Sequence, residues 1–194
     1  MRRPVACLLL IGPSLSCLAA SLVVEVRDAR GSVVSDAVVY AIPEGRKAPS
    51  QARPAVMDQK DRRFVPHILA VQTGTAVTFP NSDNVRHQVY SFSPAKKFQL
   101  PLYAGTPPKP IVFDKAGVVA LGCNIHDRMS AYIVVVDTPH FGVTENGLVE
   151  LADLAAGSYG VRVWFAGMQD EPVAETVSLT GTERRELKLS TGRR

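Results

Sequence analysis

Three side chains that can bind a metal follow one another at three-residue intervals in the segment LGCNIHDRMS. Cys123 supplies a thiol, His126 an imidazole and Met129 a thioether. The segment joins two runs of strand-forming residues, VVALGC and AYIVVVD, so we predict a loop between neighbouring strands. His87 begins another predicted strand, HQVYSF, directly after the turn-forming PNSDNVR. If these strand ends meet in a sandwich, two imidazoles, one thiolate and one thioether converge.

This set of donor atoms has a definite chemistry. Thiolate and thioether are soft donors that suit Cu(I), whereas imidazole suits both oxidation states of copper. Two imidazoles and one thiolate form a trigonal plane, which a long, weak thioether bond completes, so electron transfer needs little rearrangement. Zinc also accepts thiolate and imidazole, but methionine is a poor ligand for a structural zinc site. Taken alone, Cys123 also fits the pattern of a small buried apolar residue.

The first twenty residues have the pattern of a signal peptide. Arg2 and Arg3 precede an apolar stretch, and the small residues Ala19 and Ala20 suit a cleavage site. The apolar stretch is too short for a stable membrane span, although an uncleaved anchor is the alternative. Cleavage would remove the only other two cysteines. Cys123 would then be unpaired in an oxidising compartment, where a metal ion is one way to occupy it.

The charge balance argues against nucleic acid as a partner. The chain has 22 basic and 18 acidic residues, and loss of Arg2 and Arg3 leaves 20 against 18. A nearly neutral mature chain has no electrostatic footprint for a polyanion. Its length allows one large domain or two small ones.

The whole chain is predicted to be all-β. Short apolar runs alternate with turn-forming residues, and no segment has a convincing amphipathic helical pattern. The polar segment PEGRKAPSQARPAVMDQKDRR, at residues 43–63, is predicted to be a loop or linker. Strands at this spacing indicate sandwiches or barrels. The predicted strands are LVVEVRD, DAVVYAI, ILAVQ, TAVTFP, HQVYSF, PIVFD, VVALGC, AYIVVVD, LVELADL, YGVRVWF and AETVSLT.

The C-x-x-H-x-x-M loop and the upstream TFPNSDNVRH segment resemble the cupredoxins, the blue-copper proteins. The loop spacing matches that of amicyanin, and residues 57–141 are similar to the cupredoxin-like proteins often labelled methylamine utilisation proteins. The resemblance implies a Greek-key β-sandwich that binds one copper ion per chain. It also implies that the copper ligands are His87, Cys123, His126 and Met129.

Three positions depart from the usual cupredoxin pattern. Gln88 stands where asparagine often follows the first histidine, and Asn124 where serine or threonine often follows the cysteine. Asp127 and Arg128 follow His126, where proline and an apolar docking patch are common. These differences imply a different hydrogen-bond pattern around the copper and a charged surface beside His126.

The two ends of the chain resemble a second family. VVEVRDARGSVVSDAVVYAIPEG and GVTENGLVELADLAAGSYGVRVWFAG are similar to the opening and later parts of a carboxypeptidase-regulatory-like or transthyretin-like sandwich. We therefore predict a signal peptide at residues 1–20 and a copper domain at residues 56–139. The copper domain would be inserted in, or fused to, a small sandwich made of residues 21–55 and 140–194. An alternative is one enlarged sandwich.

The resemblance implies a periplasmic type 1 copper protein that carries single electrons and is not an enzyme. Its partners would be redox proteins, such as a c-type cytochrome or a periplasmic dehydrogenase. The alternative is a copper-binding module for copper delivery or storage without electron transfer. A Cys–His nucleophile is disfavoured because no orienting acid is evident beyond Asp127.

Overall fold

The computed structural model describes residues 19–107, 109–168, 173–181 and 184–191, and these residues form strands and turns without any helix. The all-β prediction is therefore confirmed, and no membrane-spanning helix occurs within these ranges. The strands are β1 (Ala20–Asp28), β2 (Val38–Pro43), β3 (Ala55–Val56), β4 (Asp58–Lys60), β5 (Arg63–Val65), β6 (Ile68–Gln72), β7 (Thr75–Thr78), β8 (His87–Ser91), β9 (Phe98–Tyr103), β10 (Ile111–Phe113), β11 (Gly117–Gly122), β12 (Ser130–Val136), β13 (Phe141–Val143), β14 (Leu148–Leu154), β15 (Gly157–Trp164), β16 (Val173–Leu179) and β17 (Arg184–Thr191).

Strands from both ends of the chain pair with each other in a first sandwich. Its two sheets have the strand orders β14-β1-β17 and β13-β2-β15-β16. The middle of the chain forms a second sandwich with the orders β6-β12-β11-β8-β9 and β10-β7-β3, together with the hairpin β4-β5. The middle segment thus interrupts the first sandwich in sequence. The predicted boundaries near residues 55 and 140, and the regulatory-like family of the first sandwich, stay predictions.

The alternation of apolar residues explains which face of each strand is buried. In β1 every second side chain from Ala20 to Val26 is buried in the core of the first sandwich. In β12 most residues are buried because both faces of this central strand are covered. Ile133 faces the core of the second sandwich, whereas Val134 faces the first sandwich. The continuous apolar run AYIVVV therefore marks a strand between two cores.

A third apolar cluster joins the two sandwiches. It packs Val38 and Trp164 of the first sandwich against Ile68 and Val134 of the second. The ring of Trp164 lies 5.3 Å from that of Tyr132, measured between ring centroids. The four sheets are consequently stacked in layers around three apolar clusters, which fixes the second sandwich relative to the first.

The loop prediction for residues 43–63 is wrong at its C-terminal end, where β3 and β4 form. Met57 and Gln59 are fully buried there, whereas Val56 and Lys60 are exposed. This alternation was hidden by the prolines and charges around it. The strands β5, β9, β13 and β17 are also not among the predicted strands.

Residues 1–18 of the predicted signal peptide lie outside the described residues. Ala20, at the predicted cleavage site, already belongs to β1, where it pairs with Leu154 and is 1 % exposed. Cleavage of the chain stays a prediction.

Replacement of Trp164 by alanine should lower the free energy of unfolding by about 3–5 kcal/mol, because it leaves a cavity between the sandwiches. Chemical denaturation followed by circular dichroism measures this change. The matched control is Phe92→Ala, since Phe92 is 73 % exposed; its effect should stay within about 0.5 kcal/mol. Equal effects of the two substitutions would contradict the conclusion that Trp164 stabilises the protein by packing between the two sandwiches.

Candidate metal centre

Two neighbouring strands and one hairpin loop position the candidate ligands. His87 is the first residue of β8, and Cys123 directly follows β11, the strand next to β8. The loop from Cys123 to Met129 connects β11 to β12, and the Met129 amide closes it by donating to the His126 carbonyl at 2.9 Å. The ligand loop and the start of β8 therefore lie at the same end of the five-stranded sheet.

The structure brings His87, Cys123 and His126 together. One side-chain nitrogen of each histidine and the Cys123 sulfur all lie within 4.8 Å of one another. His87 Nδ1 is 4.0 Å from Cys123 Sγ, and the two imidazole centroids are 5.0 Å apart. His87 and Cys123 are buried, whereas His126 is partly exposed. In the described ranges no other three histidine, cysteine, aspartate or glutamate side chains converge in this way.

A carboxylate orients the His87 ring. Asp83 Oδ2 lies 2.8 Å from His87 Nε2 and also accepts a hydrogen bond from the Arg62 amide at 2.8 Å. The Arg62 amide and the His87 ring lower the pKa of Asp83, so its carboxylate is ionised and only accepts. His87 Nε2 therefore donates to Asp83, and Nδ1 is the nitrogen that faces Cys123.

His126 has a buried nitrogen without a hydrogen-bond partner. Its Nδ1 is one of only two such side-chain atoms in the described part of the chain. A buried polar atom left unpaired costs about 1–3 kcal/mol. A metal ion held by this nitrogen, the His87 Nδ1 and the Cys123 thiolate would remove that cost. The donor set therefore fits one metal ion.

Met129 is 3 % exposed and lies in the same apolar cluster as Cys123. Its role as a ligand stays a prediction. The other two histidines lie elsewhere. The His67 ring packs against Tyr132, with 5.9 Å between the ring centroids. The His140 ring packs against Tyr159 in the first sandwich, with 6.0 Å between the ring centroids.

A buried hydrogen-bond network holds the segment before His87. Asn81 donates to the Tyr103 carbonyl at 2.9 Å, and the Tyr103 hydroxyl donates to the Phe79 carbonyl at 2.7 Å. Gln59 donates its side-chain amide to the Tyr103 hydroxyl. Burial raises the pKa of Tyr103 to about 12, so the phenol keeps the proton that it donates.

Sequence reasoning missed Asp83 and this network. It treated PNSDN as turn-forming residues, which explains why polar side chains occur there but not what they bind. A useful signal was the spacing of Asp83 and His87, four residues apart on a segment that must curl back before β8.

No family model and no curated protein matches the sequence. Among solved structures, the chain is similar to a copper-containing nitrite reductase from Thermus scotoductus, with 25 % identity and a TM-score of 0.41 over 50 % of this chain and 25 % of that one. It is similar to a purple cupredoxin from Nitrosopumilus maritimus, with 22 % identity and a TM-score of 0.38 over 43 % of this chain and all of that one. An amicyanin variant, P94F, has 21 % identity and a TM-score of 0.39 over 50 % of this chain and 99 % of its own. The chain thus spans a quarter of the nitrite reductase.

Replacement of Asp83 by alanine should weaken metal binding about 10–100-fold, because His87 loses the acceptor that holds its orientation. Competition titration of the metal-free chain with Zn²⁺ measures this affinity. Asp127→Ala is the matched control, since Asp127 is an exposed carboxylate in the ligand loop. Equal affinities for the Asp83 variant and the unmodified chain would contradict the assigned role of the carboxylate.

Proposed function

We propose that the chain is a periplasmic type 1 copper protein that carries single electrons between redox proteins. The observation that carries this proposal is the buried Cys123 sulfur beside two imidazoles, one of which is oriented by Asp83. Thiolate and imidazole suit both copper and zinc, and the thioether that we propose as a fourth ligand favours copper. The ligand set that we propose is His87, Cys123, His126 and Met129.

Each residue of the site has a separate task. Copper held there would supply a one-electron couple between Cu(I) and Cu(II). Cys123 provides the thiolate, and its burial at 4 % exposure keeps solvent oxidants away from the sulfur. The buried His87 ring is held by Asp83, which contacts Nε2 on the side of the ring away from Cys123. His126 is partly exposed, so the edge of its ring is the route by which we expect electrons to reach the surface.

A rigid frame supports electron transfer, because little rearrangement then accompanies the change of oxidation state. The Asn81–Tyr103–Gln59 network on one side and the closed ligand loop on the other restrict the candidate ligands. The signal-peptide pattern at residues 1–20 supports a periplasmic location. The partners that we propose are a c-type cytochrome or a periplasmic dehydrogenase, and the proposal includes no substrate and no enzymatic step.

Replacement of Cys123 by alanine should abolish visible absorption of the Cu(II) form and strongly weaken Cu(I) binding, because the thiolate is the source of the charge-transfer band. The measurements are copper content and a visible spectrum of the purified chain before and after the substitution. His67→Ala is the matched control and should leave the spectrum unchanged, since His67 lies outside the site.

Two results would contradict parts of the proposal. A Cys123→Ala variant that keeps the band would exclude the thiolate as a ligand. One bound copper per chain without a strong thiolate band in the unmodified protein would favour copper delivery or storage over electron transfer.

A further inference from the structure

The hairpin of β4 and β5 lies directly beside the candidate metal centre. Its two-residue turn consists of Asp61 and Arg62, and the Arg62 amide donates to Asp83 Oδ2 at 2.8 Å. The same oxygen lies 2.8 Å from His87 Nε2. The hairpin turn is therefore separated from a candidate ligand ring by a single carboxylate.

Buried side chains and contacts with Ser82 fix the position of this hairpin. Gln59 and Phe64 form a cross-strand pair and are 0 % and 2 % exposed. The Ser82 amide donates to the Gln59 carbonyl at 2.9 Å, and the Ser82 hydroxyl donates to Asp58 Oδ2 at 2.8 Å. These contacts hold β4 against the segment that leads to His87, and β5 is held by its pairing with β4.

The turn itself has an uncommon conformation. Asp61 and Arg62 have φ angles of 53° and 57°. A non-glycine residue in this left-handed region costs of the order of 1–3 kcal/mol and persists where its surroundings hold it. The hydrogen bond from the Arg62 amide to Asp83 supplies such a restraint.

Most of the exposed charged side chains on the hairpin, beside His87 and in the ligand loop are cationic. Lys60, Arg62 and Arg63 project from the hairpin into solvent. Arg86 is exposed beside His87, and Arg128 is exposed in the ligand loop, two residues from His126. We name these five residues the basic rim. Within the described ranges none of their side chains forms an ion pair.

Nearby carboxylates offset only part of this charge. Asp61 and Asp127 are exposed, which leaves three more exposed cations than anions. Asp58 and Asp83 are half-buried and turned to Ser82 and His87. With these two carboxylates included, the five cations still outnumber the four carboxylates of this region. The ligand loop adds only one large exposed apolar side chain, Ile125 at 51 % exposure.

We propose that the basic rim is the docking surface for a redox partner protein that surrounds its own redox centre with acidic side chains. This inference rests on the proposed function and identifies the surface charge of the partner. Opposite charges steer encounter and orient the two proteins over about a Debye length, ~8 Å at physiological salt. Copper held at the site would supply one electron, the edge of the His126 ring would be its route to the surface, and the oxidised centre of the partner would accept it.

The first test uses the full metal-free chain and does not depend on copper. Hexacyanochromate(III) is a paramagnetic trianion that broadens the amide NMR signals of the residues it approaches. We expect broadening to concentrate at residues 60–63, 86 and 128. It should disappear in about 0.5 M salt, where the Debye length is only a few ångströms. The triple variant Lys60→Gln, Arg62→Gln, Arg63→Gln should lose the hairpin signal.

The second test measures the rate at which hexacyanoferrate(III) oxidises the Cu(I) form of the full chain. At low ionic strength the triple variant should react about tenfold more slowly than the unmodified protein. The matched control is Lys47→Gln, Lys97→Gln, Lys115→Gln, which removes three exposed cations elsewhere on the surface. The control should keep the rate within a factor of about two, because Lys97 and Lys115 lie near the ends of β9 and β11 that are opposite to the site, and salt screens distant charges. The Arg62→Gln substitution keeps the main-chain amide that binds Asp83, so an unchanged visible spectrum of both variants is the check that the centre is intact.

The results separate the two proposals. Broadening that spreads evenly over the surface, or equal rate losses in both triple variants, would overturn the basic rim. Broadening confined to the rim in a chain whose bound copper is redox-inactive would uphold the rim as an anion-docking surface and contradict the proposed electron transfer.

Discussion

The hydrogen bond between His87 and Asp83 is the interaction on which the candidate centre depends. A histidine ring can bind a metal through either nitrogen, and the hydrogen bond from Nε2 to Asp83 orients the ring so that Nδ1 faces Cys123. Asp83 can fulfil this role because the Arg62 amide lowers its pKa and holds its carboxylate in place. The centre is thus restrained by a chain of contacts that runs from the β4–β5 hairpin through a carboxylate to a ligand.

The two sandwiches divide the tasks of the molecule. The first covers the outer face of β12 and β6 through the cluster that contains Trp164 and Val38. The second gathers the candidate ligands at the ends of β8 and β11. Because sheet stacking uses the faces of the strands, the end that carries His126 stays accessible. Burial of Cys123 and exposure of His126 are therefore compatible within one short loop, as a carrier of electrons requires.

Much of this arrangement could be predicted from residue patterns. The run VVALGC, the loop NIHDRM and the run AYIVVV predicted a hairpin with its ligands on the connecting loop, and the structure places Cys123 and His126 there. The hairpin at residues 58–65 was missed because its turn lacks the usual glycine or asparagine and its buried face contains glutamine. Asp83 was missed because a turn-forming role and a histidine-orienting role favour the same residue type. Only the folded structure shows that the Asp83 carboxylate binds the His87 ring.

In the proposed centre one copper ion is bound by a thiolate and two imidazoles of this chain. Copper K-edge X-ray absorption of the Cu(I) form of the purified chain identifies the atoms bound to the metal. We expect one short copper–sulfur distance from Cys123 together with two imidazole nitrogens, and loss of the short sulfur distance in Cys123→Ala. A copper coordinated by nitrogen and oxygen alone, or a spectrum unchanged by that substitution, would contradict it.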